Sequence, residues 1–272
     1  MGKDNRTIER LRYHYEVERE LAEKLRHSTR EQRTNLYKTL YDELFQRVPD
    51  HPRLRRIENP ESLARAVEAR MTILRPLLND VETFLEFAPG DCRLAFEVAN
   101  YVKKVYAVDI SDQSGKIKNI PSNFELIVYD GYNLDLPKAS IDLVFSYQFL
   151  EHLHPDDVEL HLQLAFSLLK ENGVYLISTP HAFSGPHDIS VYFSDTPQGF
   201  HLKEWTYSEV LQISKQIGFK QMLIYRFGRF LTLDILNRIN LVLESIVGKL
   251  PRNLQRKISR RTFNSITVLL KK

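Results

Sequence analysis

The sequence predicts an α/β fold, in which a seven-stranded, mostly parallel sheet carries helices on both faces. Three observations support this prediction. Residues 1–80 contain helical patterns and no strand-like run, so they form a helical cap. In residues 81–272, short apolar runs alternate with amphipathic stretches at the spacing of strand–helix–strand units. An apolar helical stretch in residues 230–262 interrupts this main domain as an insertion before its last strand.

The helical cap carries two helix-start signals. Ser28 to Glu31 has the spacing of a capping box, and leucines and tyrosines follow it at helical intervals. Asn59-Pro60-Glu61 places an N-cap residue, a proline at the first helical position and an acid at the positive end of the helix dipole.

Seven short runs in the main domain have the apolar composition of strands. They are residues 83–87, 104–109, 124–129, 141–146, 174–178, 221–225 and 265–270. The helix before the fifth run is expected to begin at Pro155 and to end at Asn172-Gly173, a glycine C-cap signal. The insertion is apolar around much of a helix, and such a helix is normally buried against a partner surface.

Composition narrows the range of partners and compartments. A net charge of +3 is too small to indicate nucleic-acid binding, and none is expected. The only cysteine is Cys92, so an intrachain disulfide is excluded and a reducing compartment fits. The charged N-terminus lacks a signal-peptide core, and no apolar run reaches transmembrane length. We therefore expect a cytoplasmic protein.

The first predicted strand ends in a turn suited to close approach by a ligand. Small residues, Ala88, Gly90 and Cys92, occupy alternate positions after the acid Glu86. In an open parallel sheet, ligands bind outside the carboxyl ends of the strands. An isolated Ala-Pro-Gly could equally be a plain strand-end turn.

Two further strand ends strengthen the prediction of a ligand site. Asp109 ends the second strand about twenty residues later, where an acid can accept from ribose hydroxyls. Asp130-Gly131 ends the third, where an acid can accept from an adenine amino group. Ile110, beside Asp109, and Ser146-Tyr147, at the end of the fourth strand, complete the candidate cofactor-binding set.

These motifs resemble class I, Rossmann-like S-adenosylmethionine-dependent methyltransferases from about residue 81 to residue 219. Glu86 matches the family's first acid, and Ala88, Gly90 and Cys92 match its three glycines, of which only the middle one is retained. Asp109 and Asp130 match the acids on the ribose and adenine sides. Later segments that resemble the family are 141–144, 149–153, 168–174 and 217–219. The resemblance implies S-adenosylmethionine as cofactor and S-adenosylhomocysteine as product. A nicotinamide-binding fold would need G-x-G-x-x-G, which is absent here.

Four histidines follow the later strands at the edge where an acceptor should lie. They are His152, His181, His187 and His201. Any of them could act as a general base for a hydroxyl acceptor, or could be a packing residue of a loop. Two metal sites are possible alternatives: these histidines with Asp188, or His152 and His154 with the acids after Pro155. Capping of a helix N-terminus explains the latter acids more simply, and no metal is predicted.

The resemblance gives the two appendages a role. The cap is expected to cover the cofactor, where Arg30, Arg33, Tyr37 and Tyr41 either reach its carboxylate or form an ordinary amphipathic helix. The insertion is expected to border the acceptor. Its apolar face could line an acceptor pocket, pack on the cap, form a dimer or make weak contact with a membrane surface. The basic stretch that follows suits lipid headgroups, an anionic acceptor or plain solvation.

The predicted function is methylation of a small-molecule acceptor, at oxygen of a metabolite, natural product or sugar. Two alternatives remain open at this point. One is a non-catalytic scaffold that keeps the fold, because the first motif is weakened. The other is a membrane-surface methyltransferase of a lipid or quinone-like acceptor.

Overall fold

The computed structural model describes residues 4–57, 59–111 and 119–272. The helices are α1 (Ile8–Arg26), α2 (Arg30–Arg47), α3 (Pro52–Ile57), α4 (Pro60–Leu74), α5 (Arg93–Val98), α6 (Pro155–Leu168), α7 (Tyr207–Ile217), α8 (Asp234–Gly248) and α9 (Arg252–Thr262). The strands are β1 (Thr83–Phe87), β2 (Lys104–Asp109), β3 (Phe124–Val128), β4 (Ile141–Tyr147), β5 (Leu169–Pro180), β6 (Gln221–Arg226), β7 (Arg229–Phe230) and β8 (Ser265–Lys271). Among these helices, none has the length and apolar character needed to cross a membrane.

All the strands join one sheet in the order β3-β2-β1-β4-β5-β8-β6-β7. Strands β1 to β5 pair in parallel, whereas β8 lies antiparallel between β5 and β6. The α/β class is confirmed, but the sheet has eight strands instead of the predicted seven. The additional strand, β7, is two residues long and pairs back on β6 through Phe227 and Gly228, both with positive φ. Such a short strand has no periodicity to detect.

Each face of the sheet is covered by its own helices. Leucines and alanines of α4 and α5 pack with Phe84, Val105 and Leu143 on one face. Side chains of α6 and α7 pack with Leu85 and Phe87 on the other. The strand order reverses at β1, with β2 and β3 on one side of it and β4 and β5 on the other. At such a reversal, the carboxyl ends of the parallel strands border a crevice.

The junction between α6 and β5 differs from the prediction. The helix ends at Leu168 and the strand begins at Leu169, so the expected helix end at Asn172-Gly173 is wrong. Asn172 has a φ of 64°, and the pairing with β4 shifts register between Ile141 and Leu143. The Asn-Gly pair therefore marks an irregularity within a strand and not the end of a helix. A residue with a left-handed backbone is compatible with either structure.

The helical cap starts its helices close to the predicted positions. A capping box joins Thr29 to Gln32, one residue after the predicted pair, and Asn59 accepts from the backbone N–H of Ser62 at the start of α4. Residues of α1 and α2 bury an apolar cluster that includes Phe200 from a distant loop. The division of the chain at residue 80 stays a prediction.

The insertion departs from its expected burial. The residues of α8 that face the protein interior are mostly polar, namely Asn237, Asn240 and Glu244 with Val247. Its isoleucines, by contrast, are exposed. The described part of the chain therefore does not cover these isoleucines, and the alternatives of a dimer and a membrane surface remain open.

Candidate active site

The turn after β1 exposes backbone, as its small residues predicted. Ala88, Gly90 and Cys92 all adopt the left-handed conformation, with φ of 52°, 59° and 58°. A side chain at Gly90 would meet only Arg53 Nη2 among the described residues, at 3.8 Å from the added Cβ. The turn therefore presents main-chain atoms that a ligand can approach.

Glu86 lies beneath this turn at the carboxyl end of β1. Its side chain is buried, and Oε2 has no hydrogen-bond partner within the described part of the chain. Burial raises the pKa of the carboxyl to about 8, although the charge of Arg70 opposes the shift. A buried polar atom without a partner is uncommon and indicates that a ligand group completes the bonding.

Asp109 ends β2 beside the same turn. Its Oδ1 accepts from the backbone N–H groups of Ile110, at 2.7 Å, and Ser111, at 3.3 Å. Burial of the carboxyl raises its pKa, and these hydrogen bonds only partly offset that effect. Ile110 thus orients the acid through its main chain, and a ligand donor would stabilise the charged form.

Asp130 uses its carboxylate to close the turn after β3. It accepts from the backbone N–H groups of Tyr132, at 2.8 Å, and Asn133, at 2.6 Å, and from the Asn133 side chain at 2.6 Å. Burial opposes ionisation, but these donors lower the pKa overall. Gly131 follows with a φ of 93°. In this structure, the two residues shape the edge of the crevice.

Ser146 and Tyr147, at the end of β4, have different surroundings. Ser146 Oγ is buried and accepts from the Tyr175 hydroxyl at 2.9 Å, which in turn lies 2.7 Å from His161 Nε2. Tyr147 is 37% exposed, with the guanidinium of Arg70 4.5 Å from the centre of its ring. Tyr147 is therefore the more accessible of the pair.

The cap places two side chains against the crevice. The Tyr41 hydroxyl lies 3.2 Å from His152 Nδ1, and the Arg53 guanidinium lies 5.5 Å from the centre of the Tyr41 ring. The charge of Arg53 also lowers the pKa of Asp109 against the effect of burial. Arg53 was not among the predicted residues, because nothing in its local sequence links it to Gly90.

Most of the predicted cap residues brace the cap instead. Arg33 forms a bidentate ion pair with Asp157, with Nε–Oδ2 of 2.7 Å and Nη2–Oδ1 of 2.8 Å. Tyr37 donates to the same carboxylate at 3.3 Å, and Arg30 stacks on the Tyr132 ring at 4.3 Å. Of the four residues, Tyr41 is the one in contact with a predicted catalytic histidine.

His152 lies at the centre of the acceptor side. Its Nδ1 is 3.0 Å from the Phe200 carbonyl oxygen, which fixes this nitrogen as a donor and leaves Nε2 as the acceptor. Burial lowers the pKa of the ring to about 3, so the imidazole is neutral at physiological pH.

His201 and His187 share one carboxylate, Glu204. His201 Nδ1 lies 2.9 Å from Oε1, and His187 reaches Oε2 with Nδ1 at 3.2 Å and Oε1 with its backbone N–H at 2.6 Å. Burial opposes protonation of His201, but the bond to Glu204 and the charges of Glu151 and Asp188 raise its pKa to about 9. The same contacts lower the pKa of Glu204 to about 2.

Glu151 completes this group. It is fully buried, and its Oε2 accepts from Thr179 Oγ1 at 2.9 Å. Its Oε1 has no hydrogen-bond partner in the described ranges, and burial raises the pKa of the carboxyl to about 6. Side-chain nitrogen and oxygen atoms of Glu151, His152 and His201 lie within 4.8 Å of one another. They are close enough to bind a divalent cation together or to take part in proton transfer.

His181 has a different setting from the other three histidines. It is fully buried, its Nε2 lies 2.7 Å from Oε1 of Glu244 in α8, and its Nδ1 accepts from the Phe183 N–H. His181 thus ties the insertion to β5. The acid Asp188 accepts from the backbone N–H groups of Ser190 and Gly199, so both its oxygens serve the loop.

Comparison with known proteins identifies the fold that carries this site. Residues 85–177 match the model of the family described as methyltransferase domain. A probable S-adenosylmethionine-dependent methyltransferase of Mycolicibacterium smegmatis is 34% identical over 143 residues, which are 50% of this chain and 51% of the relative. The chain therefore spans about half the length of that relative. A probable S-adenosylmethionine-dependent methyltransferase of Mycobacterium tuberculosis is 25% identical over 199 residues, 63% of this chain and 70% of that protein.

Solved structures show the same fold at lower identity. An S-adenosylmethionine-dependent methyltransferase from Archaeoglobus fulgidus superposes with a TM-score of 0.54 at 19% identity, covering 76% of this chain and 94% of that one. The 1,6-didemethyltoxoflavin-N1-methyltransferase of Burkholderia thailandensis, solved with its substrate and S-adenosylhomocysteine, gives 0.51 at 16% identity, covering 83% and 84%.

The residues at the crevice fit the cofactor that the family uses. The open turn at Gly90 can meet a large ligand, Asp109 can accept from hydroxyls, and the unpartnered oxygen of Glu86 can accept from an ammonium group. Residues 85–177 are therefore similar to a methyltransferase domain, the whole sheet has the class I, Rossmann-like fold, and the residues of the crevice fit S-adenosylmethionine.

Proposed function

We propose that this protein methylates a hydroxyl oxygen of a small-molecule acceptor and that Glu151 is its general base. The observation that carries the proposal is the unpartnered Oε1 of Glu151, which lies beside two histidines at the carboxyl edge of β4. A general base needs a free acceptor atom and a pKa near the working pH. The pKa of about 6 for Glu151 meets this requirement, since the carboxyl is largely ionised at neutral pH.

The cofactor supplies a methyl group on a positively charged sulfur. In the proposal, Asp109 would accept from the ribose hydroxyls, and the turn from Ala88 to Cys92 would offer main-chain atoms. Glu86 would accept from the ammonium group, and Arg53 of the cap would pair with the carboxylate. Holding both reactants in this way would supply several kcal/mol of the barrier.

The side chains around Glu151 have complementary roles. Glu151 takes the proton of the acceptor hydroxyl as the oxygen attacks. His152, neutral and oriented by the Phe200 carbonyl, offers Nε2 to a donor group of the acceptor other than the reacting hydroxyl. His201, protonated and held by Glu204, stabilises negative charge on the acceptor oxygen.

The surroundings of the site favour a small acceptor. Tyr41 of the cap packs against Phe200 with ring centres 4.9 Å apart, and both lie against His152. In the proposal, this cover limits the size of the acceptor that can reach these residues. The proposal therefore names a hydroxyl oxygen as the methylated atom and a small molecule as the acceptor.

Substitution of the base tests the proposal. Glu151→Gln should lower kcat by about 10²- to 10⁴-fold, because the general base is lost, with little change in S-adenosylmethionine affinity. Turnover is measured as S-adenosylhomocysteine formation with a panel of phenols, sugars and hydroxy acids. Glu159→Gln, an exposed change on α6, is the matched control. Full activity of Glu151→Gln contradicts the assignment, and tight cofactor binding without turnover of any hydroxyl acceptor contradicts the proposed reaction.

A non-catalytic scaffold is the competing interpretation, since the first motif keeps only one of three glycines. The left-handed backbone at Ala88 and Cys92 favours the enzyme, because the turn keeps the geometry that glycines would otherwise supply. A scaffold would bind neither S-adenosylmethionine nor S-adenosylhomocysteine at micromolar concentration.

A further inference from the structure

The outward side of α8 is an exposed apolar stripe. Ile235, Ile239, Val242 and Ile246 recur at the spacing of one helix face and are 60%, 47%, 58% and 55% exposed. Leu243 beside them is 50% exposed. We define this stripe as the outer face of α8. An apolar surface of this extent on one helix indicates an interaction site.

Polar anchors lock the outer face of α8 in its outward orientation. Asn237 accepts from the Ile224 N–H at 3.0 Å and donates to the Leu231 carbonyl at 2.8 Å. Glu244 accepts from His181 and from the backbone N–H groups of Tyr207, at 2.6 Å, and Ser208, at 2.9 Å. Rotation of the helix to bury the stripe would leave these groups without partners, so the exposure is a fixed property of the fold.

Positive charge borders the outer face of α8. The exposed cations of the segment 233–262 are Arg238, Lys249, Lys257, Arg260 and Arg261. Asp234 and Glu244 are its only acids, and Glu244 is buried. Helix α9 adds two exposed apolar side chains, Leu254 and Ile258, on the same side as Lys257. The segment therefore combines an apolar stripe with cations and almost no exposed negative charge.

We propose that the outer face of α8, together with α9, docks on a membrane surface that contains anionic phospholipids. The apolar stripe would enter the boundary between headgroups and acyl chains, and the cations would contact the lipid phosphates. A second copy of the chain is a poorer occupant, because a symmetric contact would bring the cations of both copies into one interface with almost no exposed acid to pair with them.

The docking segment also contacts the loop that carries His187 and His201. Arg252 donates to the carbonyl oxygens of Gly185, at 3.1 Å, and Asp195, at 3.1 Å. The Glu244–His181 contact joins α8 to the start of the same loop. A docked protein would thus hold the proposed acceptor loop close to the lipid surface.

Vesicle sedimentation tests the docking proposal directly. The wild-type protein should sediment with vesicles of phosphatidylcholine and phosphatidylglycerol, and much less with phosphatidylcholine alone or at high salt. Two triple variants should each bind at least tenfold more weakly. One combines Ile239→Ser, Val242→Ser and Ile246→Ser, and the other combines Lys257→Gln, Arg260→Gln and Arg261→Gln. Ile120→Ser, which changes an exposed isoleucine outside the segment, should bind like the wild type.

Several results would overturn the proposal. They are failure of the wild type to sediment with anionic vesicles, equal binding to neutral vesicles, or unchanged binding by both triple variants. If light scattering shows that the wild type is a dimer and the triple serine variant is a monomer, and the wild type does not bind vesicles, the face belongs to a contact with a second copy. Titration with S-adenosylmethionine on the same samples separates the two proposals. Vesicle binding without cofactor binding contradicts only the methyltransferase function, and the reverse result contradicts only the docking.

Discussion

Nδ1 of His201 lies 2.9 Å from Oε1 of Glu204, and both side chains are buried. The same carboxylate receives the backbone N–H of His187 at 2.6 Å. Glu204 therefore fixes the orientation of His201 and keeps its ring protonated at neutral pH. The imidazolium of His201 is therefore available to interact with the acceptor oxygen as that oxygen loses its proton.

Removal of the charge on Glu204 tests this relationship. In Glu204→Gln, the amide cannot stabilise the imidazolium as the carboxylate does, so the pKa of His201 should fall from about 9 toward neutral pH. The alkaline limb of kcat/KM should move in the same direction. A pH profile of the variant, compared with that of His187→Asn, measures the change. A limb that stays near pH 9 in Glu204→Gln would show that His201 does not carry this ionisation.

The pH dependence of the wild type follows from two ionisations. Activity should rise with pH as Glu151 loses its proton around pH 6, because only the carboxylate can accept the acceptor's proton. It should fall above about pH 9, where His201 becomes neutral. The profile of kcat/KM should therefore be bell-shaped, and Glu151→Gln should abolish the acidic limb. A flat profile between pH 5 and 8 would be inconsistent with Glu151 as the base.

The buried ion pair between Arg33 and Asp157 should hold the cap on the main domain. Arg33→Met leaves the buried Asp157 carboxylate without a positively charged partner. The substitution should lower the free energy of unfolding by about 3–5 kcal/mol. The double variant with Asp157→Leu should recover much of this loss, since no charge is then buried. Urea denaturation measures both. Equal losses in the single and double variants would contradict this explanation, because the loss would then not come from an unpaired buried charge.

Chelation distinguishes a proton-transfer site from a metal site at Glu151, His152 and His201. The proposal with Glu151 as base predicts that dialysis against a chelator leaves turnover unchanged, because no cation takes part. A loss of activity that Zn²⁺ or Mn²⁺ restores would instead assign these three side chains to a metal. Metal analysis of the protein before and after dialysis provides the control.

Local sequence was sufficient for the parts of the structure that depend on neighbouring residues. The turn after β1 was predicted from small residues at alternate positions, and Ala88, Gly90 and Cys92 each adopt a left-handed backbone. The same local rule failed at Asn172-Gly173. A left-handed residue can end a helix or interrupt a strand, and only the pairing of β5 with β4 decides between them.

Distant contacts explain what the sequence did not indicate. Glu204 contacts His187, which is 17 positions away in the sequence, and Arg53 of α3 lies near the turn that contains Gly90. The inward face of α8 is polar because Glu244 binds His181 and the start of α7, partners 63 and 36 or 37 positions away. The spacing of apolar residues alone therefore could not show which face of α8 packs inward, and the packing exposes its isoleucines.

Asp109 offers the sharpest variant for the cofactor site. Asp109→Ala removes the buried carboxylate at the end of β2 and should weaken S-adenosylmethionine binding by more than tenfold, because a charged acceptor of hydroxyl groups is lost. Asp91→Ala, in the same turn but paired with Arg93, is the matched control and should bind nearly as the wild type does. Circular dichroism should show that both variants remain folded.

Calorimetric titration of the wild-type protein with S-adenosylmethionine and S-adenosylhomocysteine tests the central claim most directly. The account predicts micromolar binding of both compounds, at one site per chain, and its loss in Asp109→Ala. Absence of binding by the folded wild-type protein, or equal binding by Asp109→Ala, would contradict the assignment of the crevice at the carboxyl ends of β1, β2 and β4 as the cofactor site.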